Sequence, residues 1–301
     1  MPTLRDTCPW LGFTDHLRKL ERETWMQLAE AVSRIEHIAG APLEPEAERK
    51  MHTAYMIKGA LATVAVEGKT LAEEDIREYL GASLRLPPKA IFPELKINNI
   101  VDACKIIAAS VDPEGKYPPL KPEEIKNYNS LVLQELEHRE DVVPGELRRH
   151  SVVVGINRSV PARDCEILLE EFCAWNNGLE FPAGMEKSYS ILAAIASHLY
   201  FVWIHPFGDG NGRTARLIEF RNLLRIGFPP HVAQLLSIHY SLTRTEYFRQ
   251  LDRANRSGSH MSEFFGYAVQ GLVGQLRKQV EVIQTLQRET MEKILVMSRK
   301  S

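Results

Sequence analysis

The chain is poor in cysteine: Cys8, Cys104, Cys165 and Cys173 are scattered over 301 residues with no CxxC pair. Neither a zinc cage nor a disulfide framework is indicated, and all four read as reduced, structural thiols. A charge excess is missing too, since 37 Lys and Arg face 39 Asp and Glu, a net charge of −2. That balance gives no global positive field for non-specific nucleic-acid binding, so nucleic acid is not an expected partner. No apolar stretch reaches the roughly 18 residues of a membrane span. The opening MPTLRDTCPW lacks the basic start and apolar run of a secretory signal, and a soluble, cytoplasmic protein is expected. There is no internal repeat and no low-complexity tract. With 44% hydrophobic and 25% charged residues, the chain can build one large or two moderate cores.

Most of the sequence carries a helical period. Leu17, Leu20, Trp25, Leu28, Val32, Ile35 and Ile38 fall on one face of an amphipathic helix over 17–39. Further helices are expected over 46–67, then from Thr70, where Thr70 and Glu73 have capping-box spacing behind Gly68. Others are expected over 96–110, 121–135, 163–176, 186–204, 213–226, 243–254 and 261–297. The proline-rich VDPEGKYPPLKPEE, 111–124, reads as a connection. Val152, Val153 and Val154, followed by Gly155 and Asn157, suggest one short hairpin. The fold class is therefore all-α, a helical bundle with one β-hairpin. Its expected divisions are an N-terminal helical subdomain (1–115), a core (116–260) and a C-terminal helix (261–301). Core packing is expected of that last helix, with self-association as a homodimer or a partner surface as alternatives.

The richest stretch is HPFGDGNGRTAR, 205–216. The helix before it, SYSILAAIASHLYFVWI, is apolar around most of its circumference and should be the buried centre of the bundle. Pro206 and the glycines end it, and RTARLIEFRNLLRI reads as an amphipathic restart. The new helix N-terminus offers unpartnered NH groups and the positive end of a dipole, an anion site. Gly208, Gly210 and Gly212 allow a backbone nest and close ligand approach. Arg213 and Arg216, three apart, can face the same side and bind phosphate bidentately. Asp209 would repel a phosphate unless a hard divalent cation such as magnesium bridged the two. His205 at the rim can take a hydroxyl proton. Walker and dinucleotide loops fit poorly, because a helix precedes and the Walker lysine is missing. His198 and His205, roughly 10 Å apart along a helix, are too distant to share a zinc ion.

HPFGDGNGRTAR resembles the signature of the Fic family, HxFx[DE]GNGRxxR, and the likeness extends from about Pro144 to Asn255. The resemblance implies a Fic-type bundle that moves AMP from ATP to a Ser, Thr or Tyr hydroxyl of a target protein. It implies His205 as general base, Asp209 as the Mg2+ ligand, and Asn211 with the amides of Gly210 and Gly212 as the α-phosphate hole. Arg213 would serve the β-phosphate and Arg216 the γ-phosphate. RRHSVVVGINRSVP, with Val152 to Val154, is similar to the family's flap, which pairs with a target segment by strand addition; an incidental surface hairpin is the other reading. YFRQLDRAN is similar to the adenine-side segment and implies Tyr247, Phe248 and Asn255 as nucleoside contacts, although aromatics at helical spacing also suit a core.

Thr63 and Glu67 in ATVAVEG lie four apart before Gly68. A carboxylate in a last helical turn is mildly unfavourable, by roughly 0.3–1 kcal/mol, and charge alone favours a solvated glutamate near a helix end. The stretch also fills the pattern [ST]xxxE[GN] of the family's inhibitory helix, which implies that Glu67 pairs with Arg216 and blocks productive ATP. Removal of AMP, transfer from another phosphate-containing donor, and a non-enzymatic nucleotide-binding module remain the alternatives.

Overall fold

The computed structural model describes residues 12–68, 94–112, 114, 116–150, 153–154, 157–158, 160–257 and 261–298. A short helix α1 (Phe13–Leu17) is followed by α2 (Arg22–Gly40). The sequence suggested one continuous helix here; the chain instead turns over 18–21, and both Leu17 and Leu20 reach the core. In α2, Leu28, Ala31, Ile35 and Ile38 form the buried stripe. Helix α3 (Pro45–Glu67) starts where a helix should: Pro45 sits in the first turn, and the Glu44 side chain accepts from the Ala47 amide at 3.1 Å. From Ala54 to Val66 nearly every residue of α3 is buried. The helix expected from Thr70 lies outside the described residues.

Helices α4 (Glu94–Ala109) and α5 (Pro122–Leu133) lead to a two-stranded antiparallel hairpin, β1 (Val153–Val154) with β2 (Asn157–Arg158). It is the one sheet among the described residues. A 3-10 turn (Ala162–Asp164) opens α6 (Cys165–Asn177). Helix α7 (Glu186–Ile204) is buried at every position from Ser190 to Phe201. It packs along α8 (Asn211–Arg225). The sequence made the restart amphipathic, but α8 is buried on almost every side, with Arg213, Arg216, Glu219 and Arg221 inside the protein. These four charges are met by partners rather than by water.

Two helices went unanticipated, α9 (Pro230–Ala233) and α10 (Leu235–Leu242). The Pro229–Pro230 pair reads as a breaker, yet Pro230 occupies the first turn of α9, where its missing NH costs nothing. Between them Gln234 presses into α3: a Cβ on Gly59 would lie 2.1 Å from its Oε1. Helix α11 (Arg244–Ser257) and the long α12 (Met261–Ser298) complete the chain. Helix α12 packs along α2, α10 and α11 and buries Met261, Phe264, Phe265, Ala268, Leu272 and Leu276, the core role expected of it. All three expected divisions contribute to one hydrophobic core.

Candidate active site

Pro206 fixes where α7 stops, because proline lacks the NH and its ring clashes with a continuing helix. His205 leaves the helix with φ +50 and ψ +57, a left-handed conformation that is strained for a residue with a Cβ. Buried Arg148 holds that turn. Its Nε donates to the His205 carbonyl at 2.7 Å, its amide to the Pro206 carbonyl at 2.9 Å, and Nη1 to the His150 carbonyl at 2.8 Å. Nη2 reaches the Val160 carbonyl on the far side of the hairpin. Beside it Leu147 and Phe207 form an isolated antiparallel bridge. The root of the hairpin is thus tied to the glycine-rich turn.

Two asparagines shape the loop. Asn211 Oδ1 accepts from the Phe207 amide at 2.9 Å and its Nδ2 donates to the Phe207 carbonyl at 2.8 Å. The resemblance implied Asn211 as a phosphate donor; closing the loop uses its Oδ1 and one of the two Nδ2 hydrogens. Asn129, fully buried on α5, donates to the Asp209 carbonyl at 2.9 Å and accepts from the Gly145 amide at 3.0 Å. Gly210 has φ +76, and a Cβ there would lie 2.9 Å from Asn129 Nδ2. Glycine satisfies both demands.

Helix α8 begins at Asn211, and the Gly210 carbonyl accepts from the Thr214 amide at 2.9 Å. The amides before Thr214 have no acceptor inside the helix. The anion at this end is Glu67, the last residue of α3. Its Oε1 lies 2.8 Å from Arg216 Nη2 and its Oε2 lies 2.7 Å from Arg213 Nε. Thr63 takes part through its main chain, where its carbonyl accepts from Arg216 Nη2 at 3.0 Å. The sequence paired Glu67 with Arg216 alone; Arg213 is a second partner. Arg213 also donates to the Val132 carbonyl at 3.1 Å and to Asp209 Oδ1 at 3.2 Å. Both guanidinium groups are buried, and stripping a buried charge of its counter-ion costs about 3–5 kcal/mol. Any event that withdraws Glu67 therefore leaves Arg216 and a helix N-terminus without their anion, while Arg213 keeps Asp209.

His205, Asp209, Gly210, Gly212, Arg216 and Glu67 share the wall of one cavity of about 400 Å³. His205 lies near enough to Glu67 and Asp209 to feel both charges. Burial pulls its pKa down to about 4; the Val202 carbonyl, Glu67 and Asp209 oppose that shift, and Arg148 adds to it. His205 is thus neutral at pH 7. Its Nδ1 lies 3.3 Å from the Val202 carbonyl, which can only accept, so the ring proton resides on Nδ1 and the Nε2 lone pair is free for a base.

Asp209 is exposed at the cavity edge, and its Oδ1 accepts from the Gly210 amide at 2.6 Å. Among the described residues no group of three or more His, Cys, Asp or Glu could cage a metal. A single projecting carboxylate nevertheless fits magnesium, which keeps several waters and is held by one or two carboxylates plus substrate phosphates.

The other side of the cavity is apolar, built by Leu199, Val202, Phe248 and Leu251. Phe248 is 43% exposed, whereas Tyr247 is buried and its hydroxyl lies 2.9 Å from His198 Nε2. Phe248 is thus open to a ligand and Tyr247 is mainly a wall. Asn255 lies on α11, but its side chain falls outside the described residues, as does Val152 of the flap; Val153 and Val154 form β1. Arg148 and Asn129 escaped the sequence reading because most of their partners are backbone groups of distant segments, which leave no spacing signal.

Residues 119–222 match the Fic/DOC family. The match begins upstream of Pro144, where the sequence likeness was first seen, and so takes in α5 and Asn129. Among curated proteins, a "Protein adenylyltransferase Fic" from Aedes aegypti is 29% identical over 241 residues, 80% of this chain and 44% of the relative. Its namesake from Drosophila ananassae is 31% identical over 193 residues, 64% of this chain and 36% of the relative. The chain thus spans less than half the length of these relatives. Among solved structures, a fragment of Fic-1 from C. elegans superposes with a TM-score of 0.64 at 23% identity, covering 87% of this chain and 73% of that one. A Fic family protein from Desulfovibrio desulfuricans G20 gives a TM-score of 0.62 at 18% identity, with 85% and 74% covered. At these identities the likeness is one of fold.

Proposed function

This chain carries a Fic/DOC-family domain over residues 119–222, and on that premise we propose that it is a protein adenylyltransferase moving AMP from ATP to a side-chain hydroxyl of a target protein. One observation carries the reading: a neutral imidazole and an arginine-rich helix N-terminus open onto the same cavity. The triphosphate would take the ground that the Glu67 carboxylate holds, at the first amides of α8 and beside Arg216. The apolar wall of Phe248, Leu251 and Leu199 suits the nucleoside. Nε2 of His205 would accept the proton of the incoming Ser, Thr or Tyr hydroxyl as its oxygen bonds to the α-phosphorus. The bond from the α-phosphorus to the bridging oxygen breaks, and pyrophosphate leaves. Asp209, with nucleotide oxygens, would hold a magnesium ion, which supplies neutralisation of the phosphate charge.

In this reading Glu67 is a brake, because its carboxylate neutralises the arginines that the phosphates need. The N-terminal part to residue 115 carries the brake, 116–260 the chemistry, and 261–301 a supporting helix. A reducing compartment such as the cytoplasm suits the buried free thiols of Cys104, Cys165 and Cys173. No helix among the described residues is long and apolar enough to cross a membrane. A second reading draws on the shared cavity of Glu67 and His205: the carboxylate could orient a water that removes AMP from a modified target.

The test is incubation of the full chain with magnesium and ATP labelled at the α-phosphate. Glu67→Gly should transfer label to protein far faster than the native chain, and His205→Ala in that background should transfer none. A folded Glu67→Gly chain that binds ATP but labels nothing would overturn the proposal. Release of AMP from a pre-labelled target by the native chain, lost in Glu67→Gly, would favour removal.

A further inference from the structure

A helix that ends without a left-handed cap leaves carbonyls to be satisfied from elsewhere. Helix α3 ends this way: Gly68 has φ −114 and ψ 152, and its amide reaches back to the Val64 carbonyl at 3.3 Å. The Val66 carbonyl, one residue before Glu67, accepts from Arg244 Nε at 2.8 Å. Arg244 is the first residue of α11, so a cation from another helix meets the negative end of the α3 dipole. The same guanidinium lies over the Phe248 ring, 5.0 Å from its centroid. Phe248 in turn forms part of the apolar wall of the cavity. One side chain therefore touches both the turn that presents Glu67 and the aromatic on the nucleoside side.

We propose that Arg244 is a positioning residue for the inhibitory carboxylate: it latches the last turn of α3 to α11, so that Glu67 is presented to Arg213 and Arg216. The inference rests on the reading of Glu67 as a brake. Arg244 itself does not line the cavity, and its loss leaves His205, Asp209 and the α8 amides in place.

The experiment measures two readouts on the full chain with Arg244→Ala and Arg244→Gln. Hydrogen exchange at the end of α3 should accelerate roughly three- to tenfold, the factor that one hydrogen bond's net worth implies, with exchange in α7 unchanged. Labelling from α-labelled ATP should rise by a similar factor in the native background, and should not rise further when Glu67→Gly is already present. Non-additivity of that kind identifies action through Glu67, which a merely structural role would not produce. Unchanged exchange over 64–68 in a folded variant overturns the latch. So does added activation on top of Glu67→Gly. If Glu67→Gly alone fails to activate, the brake reading fails, while the exchange result still decides whether Arg244 holds the turn.

Discussion

A Cβ placed on Gly212 would lie 2.5 Å from Oε1 of Glu67: the carboxylate rests in the space that a side chain at this position would fill. Any phosphate that displaces Glu67 must enter the same space. Gly212→Ala should therefore exclude both occupants. ATP affinity measured by titration calorimetry should fall at least tenfold, and adding Glu67→Gly should not restore it. Recovery of binding in the double variant would mean that the nucleotide sits elsewhere.

His205 combines a strained backbone with an unprotonated ring. Asn is the better probe, because it tolerates the left-handed region more readily than Ala. In a Glu67→Gly chain, His205→Asn should cut the rate of AMP transfer by at least about 100-fold, the usual share of a general base. ATP affinity should stay within about twofold, since the proposed phosphate cradle does not use the ring. Loss of affinity in step with rate would show that the residue only shapes the pocket.

Arg148 spans four backbone carbonyls, including those of His205 and Pro206. Arg148→Ala removes the three side-chain contacts and leaves buried acceptors unmet, at about 1–3 kcal/mol each. Chemical denaturation should register a loss of a few kcal/mol, with reduced AMP transfer. Lys should rescue little, since its point charge cannot reproduce the planar fork. Full activity in Arg148→Lys would refute this account of the turn.

Burial lowers the pKa of both His231 and His239 to about 4. Their unfolded values, near 6.5, are higher, so the unfolded chain binds more protons between the two. Stability from this source is complete above pH 6.5 and is lost as pH falls toward 4. The melting temperature should decline through that window, and His231→Gln with His239→Gln should flatten the decline. An unaltered slope would assign acid sensitivity to other groups.

The course of the bundle was legible where one signal dominated. Continuous apolarity marked α7, and Pro206 with three glycines marked its end. The approach of α9 and α10 was hidden because Pro229 and Pro230 look like breakers until one knows that Pro230 is a first-turn residue. Within the site, His205 and the glycines announce themselves through residue type and spacing. The double pairing of Glu67 does not, because α3 and α8 are far apart in sequence and only packing brings Arg213 as near as Arg216. Amphipathic patterning misled at α8 for the same reason: Arg213, Arg216, Arg221 and Glu219 face inward to partners such as Glu124, which lies 3.1 Å from Arg221 Nε, and Tyr240, which donates to Glu219 at 2.9 Å.

Gln234 plugged into α3 at Gly59 has a bearing on how wide a movement the proposed release of Glu67 would require. Pulling the whole rod away would bare Met51, Tyr55, Met56, Leu61, Val64 and Val66, at about 1.5–3 kcal/mol per large side chain, a sum on the order of the stability of an entire domain. Unseating one carboxylate, or fraying one terminal turn, asks for far less. If Glu67 is the brake proposed above, an activated form should superpose on the described residues of this structure except around 64–68, and a trigger of modest affinity would suffice.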